Sequence, residues 1–146
     1  MSTISYSEGG NIGGIRECYA TLYYLLTSLN PITFRAGFGW DEMEFLPESA
    51  SIKDTATRTE NGIEYNYTVV FTFNKQSYNM YHAFAQYIGT VGILKVTDNN
   101  GLTRLLGTLK NRVTIKTEGD TGDAATAVND YKITATWLND KPAIVI

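Results

Sequence analysis

ASIKDTATRTENGIEYNYTVVFTFNK, residues Ala50 to Lys75, is the stretch from which the rest of the chain can be read. In its second half Tyr65, Tyr67, Val69, Phe71 and Phe73 fall on one face of an extended strand. Glu64, Asn66, Thr68, Val70 and Thr72 fall on the other. A two-residue repeat marks a pleated strand with one face against a core, and β-branched and aromatic side chains suit that surface. The first half, Ser49 to Thr57, sets Ile52 and Ala56 among Ser, Thr, Lys and Asp. Between the halves lies Thr59-Glu60-Asn61-Gly62, whose Asn-Gly supplies the positive φ of a tight turn. The stretch reads as one long antiparallel hairpin whose second strand sits centrally in a sheet.

Toward the N-terminus, Ile32 to Phe45 is aromatic and punctuated by glycine, which predicts one or two short strands with a bulge at Gly37 or Gly39. Ile15 to Leu29 fits two periods. Ile15, Tyr19, Leu22 and Leu26 make a helical stripe, yet Ile15, Tyr19 and Tyr23 share a strand face. The expectation is a strand through about Tyr23, then an irregular turn up to Asn30-Pro31. Residues 1–14 are rich in Ser and Gly and read as a flexible arm or an entry loop; Gly9-Gly10 and Gly13-Gly14 do not have the spacing of a dinucleotide-binding fingerprint.

Toward the C-terminus the period changes. Met80, Phe84 and Tyr87, with Ala83 beside them, lie at helical spacing over Gln76 to Tyr87, and Gly89 is placed to end that helix. Val91 to Thr97 and Leu102 to Gly107 read as strands about an Asp98-Asn99-Asn100-Gly101 turn. Arg112 to Thr117 is a further strand, Thr117 to Asp130 a polar loop, and Tyr131, Ile133, Ala135 and Trp137 alternate as the penultimate strand. Ala143 to Ile146 reads as a final edge strand. The fold expected is mainly β, an antiparallel β-sandwich or barrel with one short helix, forming a single domain over 1–146.

Composition narrows the function. The 146 residues are 43% apolar, ordinary for a globular domain with a sizeable core. Tyr is abundant, at ten residues, as suits a β-rich domain or an interface. A formal charge of −3 with scattered Lys and Arg argues against tight binding to a nucleic-acid backbone. Cys18 alone permits no intrachain disulfide. No signal-peptide pattern opens the chain, and no apolar run reaches the roughly 18 residues of a membrane span. The expectation is a soluble protein made in a reducing cytoplasm.

No residue set assembles a reaction. His82, the only histidine, has no Asp or Glu within one helical turn, so a triad or dyad lacks its orienting group. It reads as a helix surface or interface residue. Cys18 and His82 fall short of the roughly four ligands of a structural zinc site, and Cys18 in an apolar-rich strand reads as a small buried hydrophobe. Glu118, Asp120, Asp123 and Asp130 lack the alternating spacing of a calcium loop. Asp41, Glu42 and Glu44, beside Trp40, offer paired carboxylates in the manner of a glycosidase, but nothing in the sequence sets their pKa values apart. No cofactor, metal or catalytic residue is expected.

The series of signatures resembles small virion proteins of tailed bacteriophages, especially those infecting Bacteroidetes. They are Gly13-Gly14-Ile15-Arg16, then Glu48 to Ile52, then Glu60-Asn61-Gly62 with the alternating strand to Asn74-Lys75. A short helix follows, then Thr97 to Gly107 with Leu105-Leu106-Gly107, and finally Asp130 to Thr136. Ile15 to Leu29 departs from the pattern by being more apolar. The resemblance implies a tail-tube-like subunit without an active site, which forms a homo-oligomeric ring in the tail or head-to-tail connector. DNA would pass through it only as non-specific cargo. It implies contact with itself and other connector or tail proteins, no membrane, and assembly into the virion in a bacterial host cytoplasm. Ring closure needs two different patches. Asn61 and Gly62 at the hairpin tip, with Thr121, Gly122 and Asp123 in the polar loop, are the expected interface residues. The alternative is a carbohydrate- or protein-binding β-sandwich, such as a fibre or adhesin domain, using Trp40 and its aromatic neighbours.

Overall fold

The computed structural model describes residues 13–29, 32–45, 49–73, 78–89, 92–120, 122–123 and 130–146. The chain runs β1 (Ile15–Leu22), one 3-10 turn (Tyr23–Leu25), β2 (Leu26–Leu29), β3 (Ile32–Phe34), β4 (Asp41–Glu42), β5 (Ser51–Thr59) and β6 (Gly62–Phe73). Then come α1 (Tyr78–Gly89), β7 (Gly92–Asp98), β8 (Thr103–Leu106), β9 (Thr114–Asp120), β10 (Asp130–Asn139) and β11 (Ile144–Val145). The fold is mainly β with one short helix and antiparallel sheets. A four-stranded sheet has the order β5-β6-β10-β9, a five-stranded sheet the order β11-β8-β7-β1-β4, and β2 and β3 pair alone. No sheet closes on itself, so the barrel alternative is set aside: among the described residues each sheet ends in edge strands.

The long hairpin forms as its pattern requires. β6 lies inside its sheet, paired with β5 from Ser51↔Val70 to Thr59↔Gly62 and with β10 from Phe73↔Tyr131 to Tyr65↔Asn139. Tyr67, Val69 and Phe71 are buried, while residues between them are half-buried. On β10 Tyr131, Ile133, Ala135 and Trp137 are buried in the same alternation. These side chains share one core with Cys18, Ala20 and Leu22 of β1, Leu94 and Val96 of β7 and Leu106 of β8. The two larger sheets therefore bury their inner faces against a common interior.

The five-stranded sheet is also covered on its other face. Ile93 and Leu105 project there and form a second, smaller core with Leu26, against which Leu29, Ile32, Phe34 and Trp40 pack. Burial on both faces explains why β7, Gly-Ile-Leu-Lys-Val-Thr-Asp, shows no clean alternation. Lys95 fits this face by laying its ammonium 4.7 Å from the Tyr19 ring centre and 5.2 Å from that of Trp40.

Helix α1 closes the end of the main core where β6 finishes and β7 begins. Phe84 and Tyr87 are buried, and the Phe84 ring centre lies 5.5 Å from Phe73 and 6.0 Å from Tyr131. Gly92 permits the close approach at this seam: a Cβ there would sit 2.9 Å from the Thr21 carbonyl oxygen and 3.5 Å from the Tyr87 ring.

Four local expectations are corrected. The irregular turn after Tyr23 is one 3-10 turn followed by β2, which pairs with β3. Gly37 sits in a turn at φ 86°, closed by the Phe38 N–H on the Arg35 carbonyl at 3.1 Å, and makes no bulge. Ala83 is exposed, because only one edge of the helical stripe meets the core. The polar loop is shorter than expected, since β9 continues to Asp120 and pairs there with Asp130. Of the expected N-terminal arm, residues 1–12 lie outside the described residues. Gly13 and Gly14 are held by the β7–β8 turn through Asn99, whose Nδ2 donates to the Gly13 carbonyl at 2.6 Å.

Candidate functional site

The register of the four-stranded sheet decides where the expected interface residues lie. β10 meets β9 at Asp130↔Asp120 and meets β6 at Asn139↔Tyr65, so its two ends mark the two ends of the sheet. Asn61 and Gly62 lie beyond the Asn139 end, and Gly122 and Asp123 beyond the Asp120 end. At about 3.3 Å per residue the two groups are roughly 40 Å apart. Thr121 lies outside the described residues. The sequence named both patches; the structure places them at opposite poles of one sheet.

The tip is a projecting ribbon. β10 reaches only Tyr65, and every residue from Lys53 to Glu64 is exposed. The turn is closed by its own hydrogen bonds despite its exposure. Thr59 Oγ1 donates to the Gly62 carbonyl at 2.9 Å and accepts the Asn61 N–H at 3.3 Å, and Gly62 takes φ 118°, a value that other residues rarely adopt. A shallow cleft of about 360 Å³ runs from Thr59–Glu64 to Asn111 and Leu138–Asp140. Asn111 fixes its floor: Nδ2 donates to the Leu138 carbonyl at 2.6 Å, and its own carbonyl accepts the Trp137 indole N–H at 3.0 Å.

At the other pole the carboxylates diverge. Asp120 accepts the Gly122 N–H at 2.8 Å, and Glu118 pairs with Lys116 at 2.8 Å. The hydrogen bond and charge of Lys116 hold the Glu118 carboxyl below its ordinary value. Among the described residues no group of three or more His, Cys, Asp and Glu could hold a metal ion.

The acidic stretch borders a cleft of about 520 Å³ walled by Trp40, Phe73, Phe84 and Tyr87. Asp41, Glu42 and Glu44 all line it. Asp41 and Glu42 are consecutive on β4, opposite Ala20 and Tyr19, so the pleat sends them to opposite faces. The Tyr87 hydroxyl donates to Asp41. Burial, reinforced by that bond and the Asp41 charge, pushes the phenol pKa far up. The helical stripe marked Tyr87 as buried, but nothing in the sequence linked it to Asp41.

Cys18 is fully buried, and burial pushes its thiol up to about 12, which disfavours the reactive thiolate. His82 is exposed on α1, its ring stacked on Tyr78 at 6.1 Å and 14°. The chain matches no protein-family model, and no curated protein or solved structure matches it.

Proposed function

We propose that the protein is a structural subunit of a phage virion, a tail-tube-like β-sandwich that forms a homo-oligomeric ring in the tail or head-to-tail connector. One observation carries the reading: the two patches sit at opposite ends of one sheet. A surface of that kind lets the tip of one copy meet the turn region of the next, and repetition of such a heterologous contact closes a ring when the rotation between copies brings the last back to the first. The sandwich is supported by the single core shared between the two larger sheets. A net charge of −3 suits a lumen through which DNA slides without being held. In this reading the subunit has no active site, and its partners are further copies and neighbouring connector or tail proteins. The alternative of a carbohydrate platform has the aromatic cleft beside Trp40 in its favour, but the Trp40 ring itself is partly occupied, packing edge-on against Phe34 at 5.4 Å with Lys95 over it.

Sedimentation of the purified chain, followed by electron microscopy of the sedimenting species, tests the proposal. Closed rings are expected, and deletion of Asn61-Gly62 should leave a folded subunit that no longer closes them. A chain that stays monomeric when concentrated, or that is missing from phage particles, overturns it.

A further inference from the structure

The flank of the projecting hairpin carries a second surface, which does not depend on the ring reading. β5 is an edge strand of nine residues without proline. Its pairing parity follows from the turn. Thr59 and Gly62 close a two-residue loop as a mutually bonded pair, so the odd residues of β5 bond to β6. The backbone N–H and C=O groups of Ile52, Asp54, Ala56 and Arg58 therefore point outward. Among the described residues, no backbone group from outside the sheet bonds to them. Asp54 and Arg58 are exposed, and neither forms an ion pair among the described residues.

We propose that β5 pairs antiparallel with β5 of a second copy about a two-fold axis at Ala56. Outward-pointing backbone groups match only if even residues face even residues, which leaves few registers. Centred on Ala56, Asp54 of each copy faces Arg58 of the other, and Thr55 faces Thr57. Opposite charges and threonine pairs are both favourable across strands. Centring on Lys53, Asp54 or Arg58 puts like charges together, centring on Thr57 sets Asp54 against Glu60, and centring on Thr55 leaves both charges opposite uncharged residues. On the inner face Ala56 neighbours Tyr65, so the row across the axis reads Tyr65-Ala56-Ala56-Tyr65. Charges on an edge strand ordinarily repel stray partners; here the same two charges admit one partner, the strand itself.

The register is testable by cross-linking. At the axis the Ala56 Cα atoms would stand about 5.5 Å apart, within disulfide reach. Ala56→Cys should form a disulfide-linked dimer under mild oxidation. Thr57→Cys, on the opposite face and off the axis, should not; native Cys18 is buried and stays out of the exchange. In sedimentation equilibrium Arg58→Asp should weaken the dimer about tenfold or more, and adding Asp54→Arg to that chain should restore it. Equal cross-linking of the two variants, no cross-linking of the Ala56→Cys chain, or no rescue by the double exchange overturns the proposal. Cross-linking that appears only after deletion of residues 1–12 also overturns it, because it assigns the edge to the chain's own N-terminus. None of these outcomes depends on whether rings form.

Discussion

Phe71→Ala tests whether the alternating face of β6 holds the fold together. Phe71 is 2% exposed, and its ring centre lies 5.8 Å from those of both Phe45 and Phe73. Removing the ring withdraws about 150 Å² of apolar burial, which at ~25 cal/mol per Å² is about 4 kcal/mol. That falls inside the ~3–5 kcal/mol measured for large aromatics truncated in packed cores. Against a total stability of roughly 5–15 kcal/mol the variant should remain folded, but with its melting temperature lowered by roughly 8–16 °C. Urea unfolding followed by tryptophan fluorescence reads the change directly. The neighbouring Thr72→Ala removes a half-buried side chain from the other face and should cost under about 1 kcal/mol. A loss below about 1 kcal/mol at Phe71, or equal losses at both positions, would refute the assignment of faces.

Two further outcomes are expected. Gly92→Ala should cost about 1–3 kcal/mol, because the added carbon meets a backbone oxygen that cannot move aside; Gly39→Ala, with open space around it, should stay within about 0.5 kcal/mol of wild type. At Asp98 burial works to raise the carboxyl pKa. The Leu102 N–H, the Arg104 guanidinium and the Asn100 N–H outweigh it, so the folded value lies below the ordinary 3.8. A carboxyl depressed on folding contributes stability that is complete above its unfolded pKa and lost as pH falls through the folded one. Asp98→Asn should therefore be less stable than wild type by about 1 kcal/mol at neutral pH, with the gap closing as the pH falls below the ordinary carboxyl value of 3.8. A gap that widens on acidification in urea titrations would count against the assignment.

Legibility in the sequence followed the number of cores each segment serves. β6 and β10 face one core, and the alternation of Tyr67-Val69-Phe71 and of Ile133-Ala135-Trp137 was readable directly. The β7–β8 turn was readable because Asp98 supplies its own acceptor: Oδ1 takes the N–H groups of Asn100 at 2.9 Å and Leu102 at 3.0 Å. Ile15 to Leu29 was not, because Cys18, Ala20 and Leu22 serve the larger core and Leu26 the smaller, with a 3-10 turn resetting the phase between them. β9 beyond Thr117 looked like a loop because Glu118, Gly119 and Asp120 are exposed on an edge strand. At the candidate site the tip was legible from Asn61-Gly62. Its separation from Gly122 and Asp123 was not, since that distance is set by pairing with β10, and strand order is a property of the whole sheet.

The shared wall between the two cores makes sequence neighbours strangers. Ile93 and Leu94 are joined by one peptide bond, yet one answers to the ribbon of β2 and β3 and the other to the four-stranded sheet. A change of volume at one is felt by Leu26 and Leu105, and at the other by residues dozens of positions away on β6 and β10. The two fillings can drift independently over generations. The outer layer can be re-cut while the interior that keeps the chain folded stays as it is.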